Sequence, residues 1–151
     1  MSLISKILPV SNVILDNEST SKKRVFERVG LLFENSHAIA RAEVFDSLFA
    51  REKLGSTGLG QGVAIPHGRV KGLRDAVAAF IKTATPIPFD APDGQPVNLI
   101  FVLLVPERAT DLHLQLLGEL AQMFSTPTFR ENLLSNSDPA QIHQLFVDWQ
   151  G

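Results

Sequence analysis

The segment from Arg51 to Arg69 contains residue types that could transfer a phosphoryl group. His67 follows a short apolar run that ends at Pro66, and this order predicts an imidazole at the exit of a strand. A neutral imidazole, with a reference pKa of about 6.5, is a competent nucleophile toward phosphorus. The guanidinium groups of Arg51 and Arg69 have forked donors that suit phosphate oxygens. We therefore predict that His67 accepts a phosphoryl group.

Glycines lie on both sides of this histidine. Those before it are Gly55, Gly58, Gly60 and Gly62. Glycine allows a positive φ and leaves the backbone N–H uncovered, so this segment could approach an anion closely. The same spacing also fits an ordinary surface loop, and it matches neither a Walker loop nor the dinucleotide fingerprint. Gly68, directly after the histidine, is predicted to keep a β-carbon out of the space around the imidazole.

A second histidine, His113, lies in the first turn of a predicted helix. The core face of that helix consists of Leu112, Leu116, Leu117, Leu120 and Phe124. Thr110 or Asp111 is predicted to cap its start. Free backbone N–H groups and the positive end of the helix dipole favour an anion there. We expect His113 to face the same phosphate as His67.

Helical and strand periodicities alternate along the chain. Helices are predicted from Ser21 to residue 34 or 35, from about 40 to 54, from 110 or 111 onward, from Thr126 and Pro127, and from Ser137 through Trp149. Strands are predicted at 13–15, 63–65, 76–81 and 97–105, with an extended, turn-rich passage at 85–90. The last strand is the most hydrophobic and is expected at the centre of the sheet. This order predicts an α/β (α+β) fold, with a mixed, mostly parallel central β-sheet flanked by helices and a helical C-terminal tail.

Composition narrows the possible functions. The 151 residues are enough for one domain, and they include no cysteine for a disulfide or a cysteine zinc site. Net charge is −2, and the basic cluster 22–24 is predicted to be a solvated helix start, so no nucleic-acid binding is expected. The longest apolar run, 99–105, is shorter than the roughly 20 residues of a membrane helix, and no secretory signal pattern begins the chain. A cytoplasmic protein is expected, with His37 in an exposed loop and no function for His143.

The residues from Ser56 to Gly68, Ser-Thr-Gly-Leu-Gly-Gln-Gly-Val-Ala-Ile-Pro-His-Gly, resemble the signature of the fructose/mannitol-type EIIA domains of the bacterial phosphotransferase system. The resemblance extends over nearly the whole chain. It includes the segments 51–55, 85–90, 96–101 and 113–117. It implies one EIIA type 2 domain over residues 1–151.

The resemblance implies a phosphotransferase that moves phosphoryl groups from histidine to histidine. His67 would accept the group from a histidine phosphocarrier protein of the HPr type, with Nε2 as the candidate nitrogen. Arg51 and His113 would orient and neutralise the phosphate. Ser56, Thr57 and Gly68 are also expected to bind it, and Arg69 is added because of its side-chain chemistry and not because of the resemblance. No cofactor and no metal are expected.

Within the family, residues 51–57 and the absence of an attached sugar-specific domain are similar to the nitrogen-related EIIA proteins. Such proteins act as phosphorylation-dependent regulators by binding other proteins, such as potassium transport regulators or sensor kinases. The alternative is a sugar-branch EIIA that passes the phosphoryl group to a fructose- or mannitol-type EIIB. Leu112 departs from the family pattern, because relatives often have a small polar residue there, and the phosphate would lose one hydrogen bond.

Three other functions remain open at this point. His67 and His113 could bind a metal, although catalytic zinc usually has three protein ligands and arginine disfavours a cation. A two-histidine phosphodiesterase would need Thr or Ser two positions after each histidine, where Arg69 and Gln115 stand. A purely structural protein would never become phosphorylated by its carrier.

Overall fold

A mixed β-sheet lies between two layers of helices. The structure is a computed structural model and describes residues 2–108 and 110–150. The strands found in this part of the chain are β1 (Val13–Asn17), β2 (Gly58–Gly60), β3 (Val63–Ala64), β4 (His67–Val70), β5 (Val77–Ile87) and β6 (Val97–Pro106). Its α-helices are α1 (Lys22–His37), α2 (Arg41–Glu52), α3 (Thr110–Ser125), α4 (Pro127–Ser135) and α5 (Pro139–Asp148). Two 3-10 turns, Ile4–Lys6 and Val10–Asn12, precede β1.

The sheet is organised around β6. Its order is β1-β5-β6-β3-β2, and β4 pairs with β6 further along the same edge as β3. The pairs β1–β5, β3–β6 and β4–β6 are parallel, whereas β5–β6 and β2–β3 are antiparallel. The predicted α/β (α+β) class is confirmed, with a mixed, mostly parallel sheet flanked by helices and a helical tail of α3 to α5.

Both faces of β6 are buried, which explains why its sequence is a continuous apolar run. Successive side chains of a strand point to opposite faces. Phe101 and Leu103 pack with α3, α4 and α5, whereas Ile100 and Val102 pack with α1 and α2. The two helix layers therefore bury two separate apolar cores, one on each face of the sheet.

The strand β5 is longer than its sequence predicts. It continues to Ile87, whereas residues 85–90 were predicted to be an extended, turn-rich passage. Its pairing with β6 is irregular between Lys82 and Ile87 and resumes at the pair Ile87 and Val97. Pro86 falls inside this irregular stretch, where its missing N–H removes no ladder hydrogen bond.

The glycine-rich segment forms a tight hairpin between β2 and β3. Gln61 and Gly62 lie at its turn with φ of 57° and 78°, the left-handed conformation that two-residue hairpin turns require. The Gln61 N–H donates a hydrogen bond of 2.9 Å to the Asp93 carboxylate. The backbone donor at this turn therefore binds an anion, as the glycines suggest, but the anion is the protein's own side chain.

Two other predictions are corrected by the structure. His37 is half-buried at the end of α1, where its Nε2 accepts a hydrogen bond of 3.0 Å from Asn12 Nδ2, so the prediction of an exposed loop is wrong. Lys22 is not a solvated residue, because its Nζ lies 2.8 Å from the Glu52 carboxylate. Short-range sequence could not predict either contact, since each partner comes from another element.

The fourth histidine, His143, lies on α5. His143 packs against the N-terminal segment, with Nε2 donating 2.8 Å to the Leu8 carbonyl. The predicted capping role of Thr110 lies outside the described side chains. Among the residues that the structure covers, no helix is long and apolar enough to cross a membrane.

Candidate active site

His67 begins strand β4, whereas the sequence predicts it at the exit of the preceding strand. Pro66 interrupts the strand because it has no N–H to donate. Its carbonyl still accepts a hydrogen bond of 2.9 Å from the Leu103 N–H. From His67 the chain pairs with β6 again, with His67 opposite Leu103 and Val70 opposite Pro106. The histidine is therefore held by the sheet and not by a loop.

The alternation of side chains along β4 decides what surrounds the imidazole. Val70 packs into the core beneath α1 and α2, and Gly68 lies against Ser47 of α2. His67 and Arg69 consequently point to the opposite face, toward the layer of α3. The ring of His113, from the first turn of α3, lies edge-on to that of His67, with 5.2 Å between ring centroids and an interplanar angle of 70°.

A backbone hydrogen bond fixes the tautomer of His67. Its Nδ1 lies 2.7 Å from the Ile65 carbonyl oxygen. A carbonyl oxygen only accepts, so Nδ1 must carry the proton, and in the neutral ring the lone pair is then on Nε2. The nitrogen with the free lone pair is therefore Nε2.

The surroundings of His67 favour its neutral form. Burial lowers the pKa of the imidazole most, and the charge of Arg51 lowers it further. The hydrogen bond to the Ile65 carbonyl and the charge of Glu52 act in the opposite direction. The pKa of His67 remains below its ordinary value, so the ring is neutral at pH 7.

His113 has an unused polar atom beside this ring. Its Nε2 is buried and has no hydrogen-bond partner among the described residues. Burial, followed by His67, Arg69 and Arg51, lowers the pKa of His113. A buried polar atom without a partner costs about 1–3 kcal/mol, and a bound ligand oxygen could remove that cost.

Two arginines lie close enough to the site for their charges to act on His113. Arg51 lies in the last turn of α2 and donates a hydrogen bond of 2.7 Å to the Gly55 carbonyl. Arg69 lies on β4 and donates a hydrogen bond of 2.7 Å to the Glu107 carbonyl. A guanidinium has five N–H donors, so each arginine can hold its own loop and still bind an anion. The structure thus brings together His67, His113, Arg51 and Arg69.

The two hydroxyl side chains expected to bind phosphate are engaged within the protein. Ser56 Oγ donates 2.6 Å to the Phe89 carbonyl and accepts 3.0 Å from the Gly58 N–H. Thr57 Oγ1 donates 2.5 Å to the Glu52 carboxylate. Their hydroxyl hydrogens are used in holding the loop after α2, and their contact with a phosphate stays a prediction.

Four apolar side chains lie near the predicted site in sequence, and the prediction that one of them, Leu112, belongs to the core face of α3 is wrong. Leu59 and Leu112 have 48% and 37% of their surface exposed, whereas Val63 and Ile65 are buried in the core. The first two are available to a partner surface, and the second two support the strand that leads to His67. A metal centre finds no support in the described part of the chain, where no group of three or more His, Cys, Asp or Glu could hold an ion.

Gly68 is required for a close contact between β4 and α2. A β-carbon at this position would overlap Ser47 Oγ and would lie 3.0 Å from the Ser47 carbonyl carbon and oxygen. The sequence suggests that Gly68 frees space around the imidazole, but the space it frees belongs to α2. This contact sets how closely α2, and with it Arg51, approaches His67.

Gly68→Ala is therefore expected to destabilise the protein by about 1–3 kcal/mol, the usual cost of overpacking. Gly118→Ala is the matched control, because a β-carbon there meets nothing within 4 Å and a helical alanine is favoured by about 0.5–1 kcal/mol. Chemical denaturation of both variants measures the difference. Equal stabilities of Gly68→Ala and the parent protein would contradict the close-contact explanation.

A buried carboxylate near the site is not found by sequence reasoning. Glu52 follows Arg51 directly, and on a helical face it reads as an ordinary polar residue. In the structure it is 8% exposed and bonded to Lys22 and Thr57. Its only sequence signal is its position between the arginine and the glycine-rich segment.

Two imidazoles and two guanidinium groups at one sheet edge could serve phosphoryl transfer without a nucleotide, so fold and site fit the class of phosphotransfer proteins. The chain belongs to the EIIA 2 family of the phosphoenolpyruvate-dependent sugar phosphotransferase system, whose family model matches residues 6–149. Proteins of this family are components of phosphoryl transfer.

Relatives of known name are similar over almost the full length. A nitrogen regulatory protein of Pseudomonas aeruginosa is 41% identical over 151 residues, covering 99% of this chain and 98% of that protein. The crystal structure of nitrogen regulatory protein IIA-Ntr from Neisseria meningitidis superposes with a TM-score of 0.91 and 56% identity, covering 96% of this chain and 99% of that chain. A fructose-specific EIIA component of Haloferax volcanii is 30% identical over 146 residues, covering 96% and 95%.

Proposed function

We propose that this protein accepts a phosphoryl group on His67 Nε2 from an HPr-like histidine phosphocarrier. We further propose that it acts as a phosphorylation-dependent regulator of nitrogen- and potassium-related metabolism in the cytoplasm. The observation that carries the first step is the hydrogen bond from His67 Nδ1 to the Ile65 carbonyl, which leaves the lone pair on Nε2. The higher identity to nitrogen regulatory proteins than to the fructose-specific relative supports the regulatory branch.

The transfer is balanced without a cofactor. The Nε2 lone pair of His67 attacks phosphorus while the bond between phosphorus and the donor's imidazole nitrogen breaks, and that electron pair returns to the donor ring. Each ring keeps the proton on its other nitrogen, so neither needs a general base. In His67 that proton remains on Nδ1, bonded to the Ile65 carbonyl.

The residues around His67 would stabilise the transferred group. Charge on the equatorial oxygens dominates the loose transition state of phosphoryl transfer, so fixed cationic donors are the main source of catalysis. Arg51 and Arg69 supply such donors. Both guanidinium charges lower the pKa of His113, although burial and the charge of His67 lower it more. An Nε2–H of His113 could satisfy its missing hydrogen bond on a phosphoryl oxygen.

Phosphorylation would change the surface that partners meet. A phosphoryl group adds a charge of about −1.5 to −2 to a site bordered by arginines. A regulated protein, such as a potassium transport regulator or a sensor kinase, could distinguish the two states by this charge. The exposed apolar side chains of Leu59 and Leu112 would contribute contact area and exclude water from the transfer.

Incubation with the phosphorylated HPr-like carrier tests the proposal. We expect one acid-labile, base-stable phosphoryl group per chain. Mass spectrometry with electron-transfer dissociation should map this group to His67. The unphosphorylated carrier is the control. Absence of the label, or a label on another residue, would contradict the proposal.

The alternative function is that of a sugar-branch EIIA, which the fructose-specific relative favours because its similarity also covers almost the whole chain. Such a protein would pass its phosphoryl group to a fructose- or mannitol-type EIIB. Mixing the purified phosphoprotein with candidate EIIB proteins distinguishes the two branches. Rapid and specific loss of label to an EIIB would replace the regulatory proposal.

A further inference from the structure

An ion pair between a buried carboxylate and a partly buried ammonium lies next to Arg51 of the predicted site. Glu52 ends α2 one residue after Arg51, and its carboxylate lies 2.8 Å from Nζ of Lys22, the first residue of α1. The same ammonium lies 4.7 Å above the centre of the Phe89 ring and 3.7 Å from the Asp90 carboxylate. Burying a carboxylate is costly unless it is paired and hydrogen-bonded. The pair joins the start of one helix to the end of the other.

Glu52 also holds the loop that follows α2. The backbone N–H of Thr57 donates 3.1 Å to Oε2 of Glu52, and the hydroxyl of Thr57 donates 2.5 Å to Oε1. Both residues are buried, so water does not compete strongly for these bonds. One carboxylate therefore fixes both donors of Thr57.

The contacts continue from Thr57 to the imidazole. The Thr57 carbonyl accepts a hydrogen bond of 3.0 Å from the Ile65 N–H. The Ile65 carbonyl in turn accepts a hydrogen bond of 2.7 Å from His67 Nδ1. Ile65 lies between β3 and β4, and these two bonds hold its backbone N–H and its carbonyl. A displacement of Thr57 would thus move the carbonyl that orients the ring.

We propose that Lys22, Glu52 and Thr57, together called the carboxylate brace, position His67 for phosphoryl acceptance. The brace holds the Ile65 carbonyl against Nδ1 and so keeps Nε2 unprotonated and aimed at the donor. Glu52 is a positioning residue, because it acts through Thr57 and Ile65 and does not touch the reacting atoms. This inference deepens the proposed function and rests on it.

The charge of Glu52 gives the brace a second effect that can be measured. The charged and titratable groups facing His67 are Arg51 and Glu52 from α2 and His113 from α3, with Arg69 beside His113. Burial and Arg51 lower the pKa of His67, whereas its bond to Ile65 and the charge of Glu52 raise it. Removing the charge should lower this pKa further, so the ring should stay neutral to a lower pH.

Glu52→Gln in the full chain tests the inference, with Glu34→Gln as the matched control. Glu34 also joins α1 to α2, through a 2.7 Å ion pair with Arg41, but no described hydrogen bond connects it to Thr57. The first readout is the ¹⁵N chemical shifts of the His67 ring as a function of pH, without any phosphodonor. We expect the Nδ1–H form in the parent and in Glu34→Gln, and mixed tautomers with titration at lower pH in Glu52→Gln.

The second readout is the rate of phosphoryl acceptance at pH 7.5. Misplacement of a reacting group by about 1 Å costs on the order of 10²-fold, so a loosened ring should react at least about tenfold more slowly. Glu34→Gln should retain the parent rate. The rate of Glu52→Gln should also begin to fall only at a lower pH than in the parent.

The outcomes separate this inference from the proposed function. Unchanged tautomer, titration and rate in folded Glu52→Gln would overturn the brace, as would a lower melting temperature alone. An altered His67 ring together with a parent protein that never accepts a phosphoryl group would preserve the positioning and reject the proposed function. If Glu52→Gln does not fold, Thr57→Val removes only the hydroxyl donor, and the same two readouts decide.

Discussion

His67→Ala should reduce phosphoryl acceptance from an HPr-like carrier to the background seen with the unphosphorylated carrier. The substitution removes the only atom proposed to bond to phosphorus. His113 should not replace it, although its ring lies 5.2 Å away, because its Nε2 is proposed to carry the proton that binds a phosphoryl oxygen and then has no lone pair for attack. The measurement is the acid-labile label transferred per chain after incubation with the phosphorylated carrier.

His143→Ala is the control for this prediction. It removes a histidine from α5 whose ring binds the Leu8 carbonyl, so it should be labelled like the parent protein. Thermal unfolding shows whether each variant is folded at the assay temperature. Full labelling of folded His67→Ala would exclude His67 as the acceptor.

Arg51→Ala should lower the rate of phosphoryl acceptance by about 10²–10³-fold, the effect of removing one fixed donor from a developing anion. Arg51 comes from the end of α2, and its charge acts on both His67 and His113. Arg51→Lys should have an intermediate rate, because lysine keeps the charge but lacks the forked pair of donors. Rapid-quench measurements at saturating donor separate this rate from donor affinity.

Arg24→Ala is the matched control for Arg51→Ala. Arg24 is an exposed guanidinium on α1, paired with Glu27 at 3.1 Å, and its loss should leave the rate unchanged. Arg51 also donates to the Gly55 carbonyl, so melting temperatures of both arginine variants must accompany the rates. A parent-like rate in folded Arg51→Ala would assign the phosphate contacts to other residues.

Local sequence contains enough information for the main elements of this fold. The helical spacing of Val25, Val29 and Phe33 predicts α1, and the continuous apolar run 97–105 predicts the buried central strand β6. Both patterns record which side chains must leave water, and this depends on neighbours within a few positions. For that reason the types of the predicted helices and strands are confirmed. The strands β2 and β4 were not predicted, β5 ends at Ile87 instead of 81, and α2 ends at Glu52 instead of 54.

The position of His67 required more than its neighbours. Pro66 correctly predicts an interruption of the strand, but only the sheet shows that its carbonyl still accepts from Leu103 and that β4 resumes beside β6. The side of the sheet on which the imidazole lies depends on this register. An interruption read from sequence alone does not determine which strand a segment joins next.

The sequence itself determined which residue types could perform chemistry, because reactivity belongs to the side chain. These residues are an imidazole with arginines and a second histidine in a helix N-terminus. Their assembly was decided by tertiary structure. The alternation of side chains along β4 places His67 on the face of the sheet where the start of α3 brings His113, and the contact of Gly68 with Ser47 brings α2 to the same edge. The role of Glu52 was hidden for the same reason. A carboxylate that pairs with Lys22, 30 positions away, becomes buried and structural only when two helices meet.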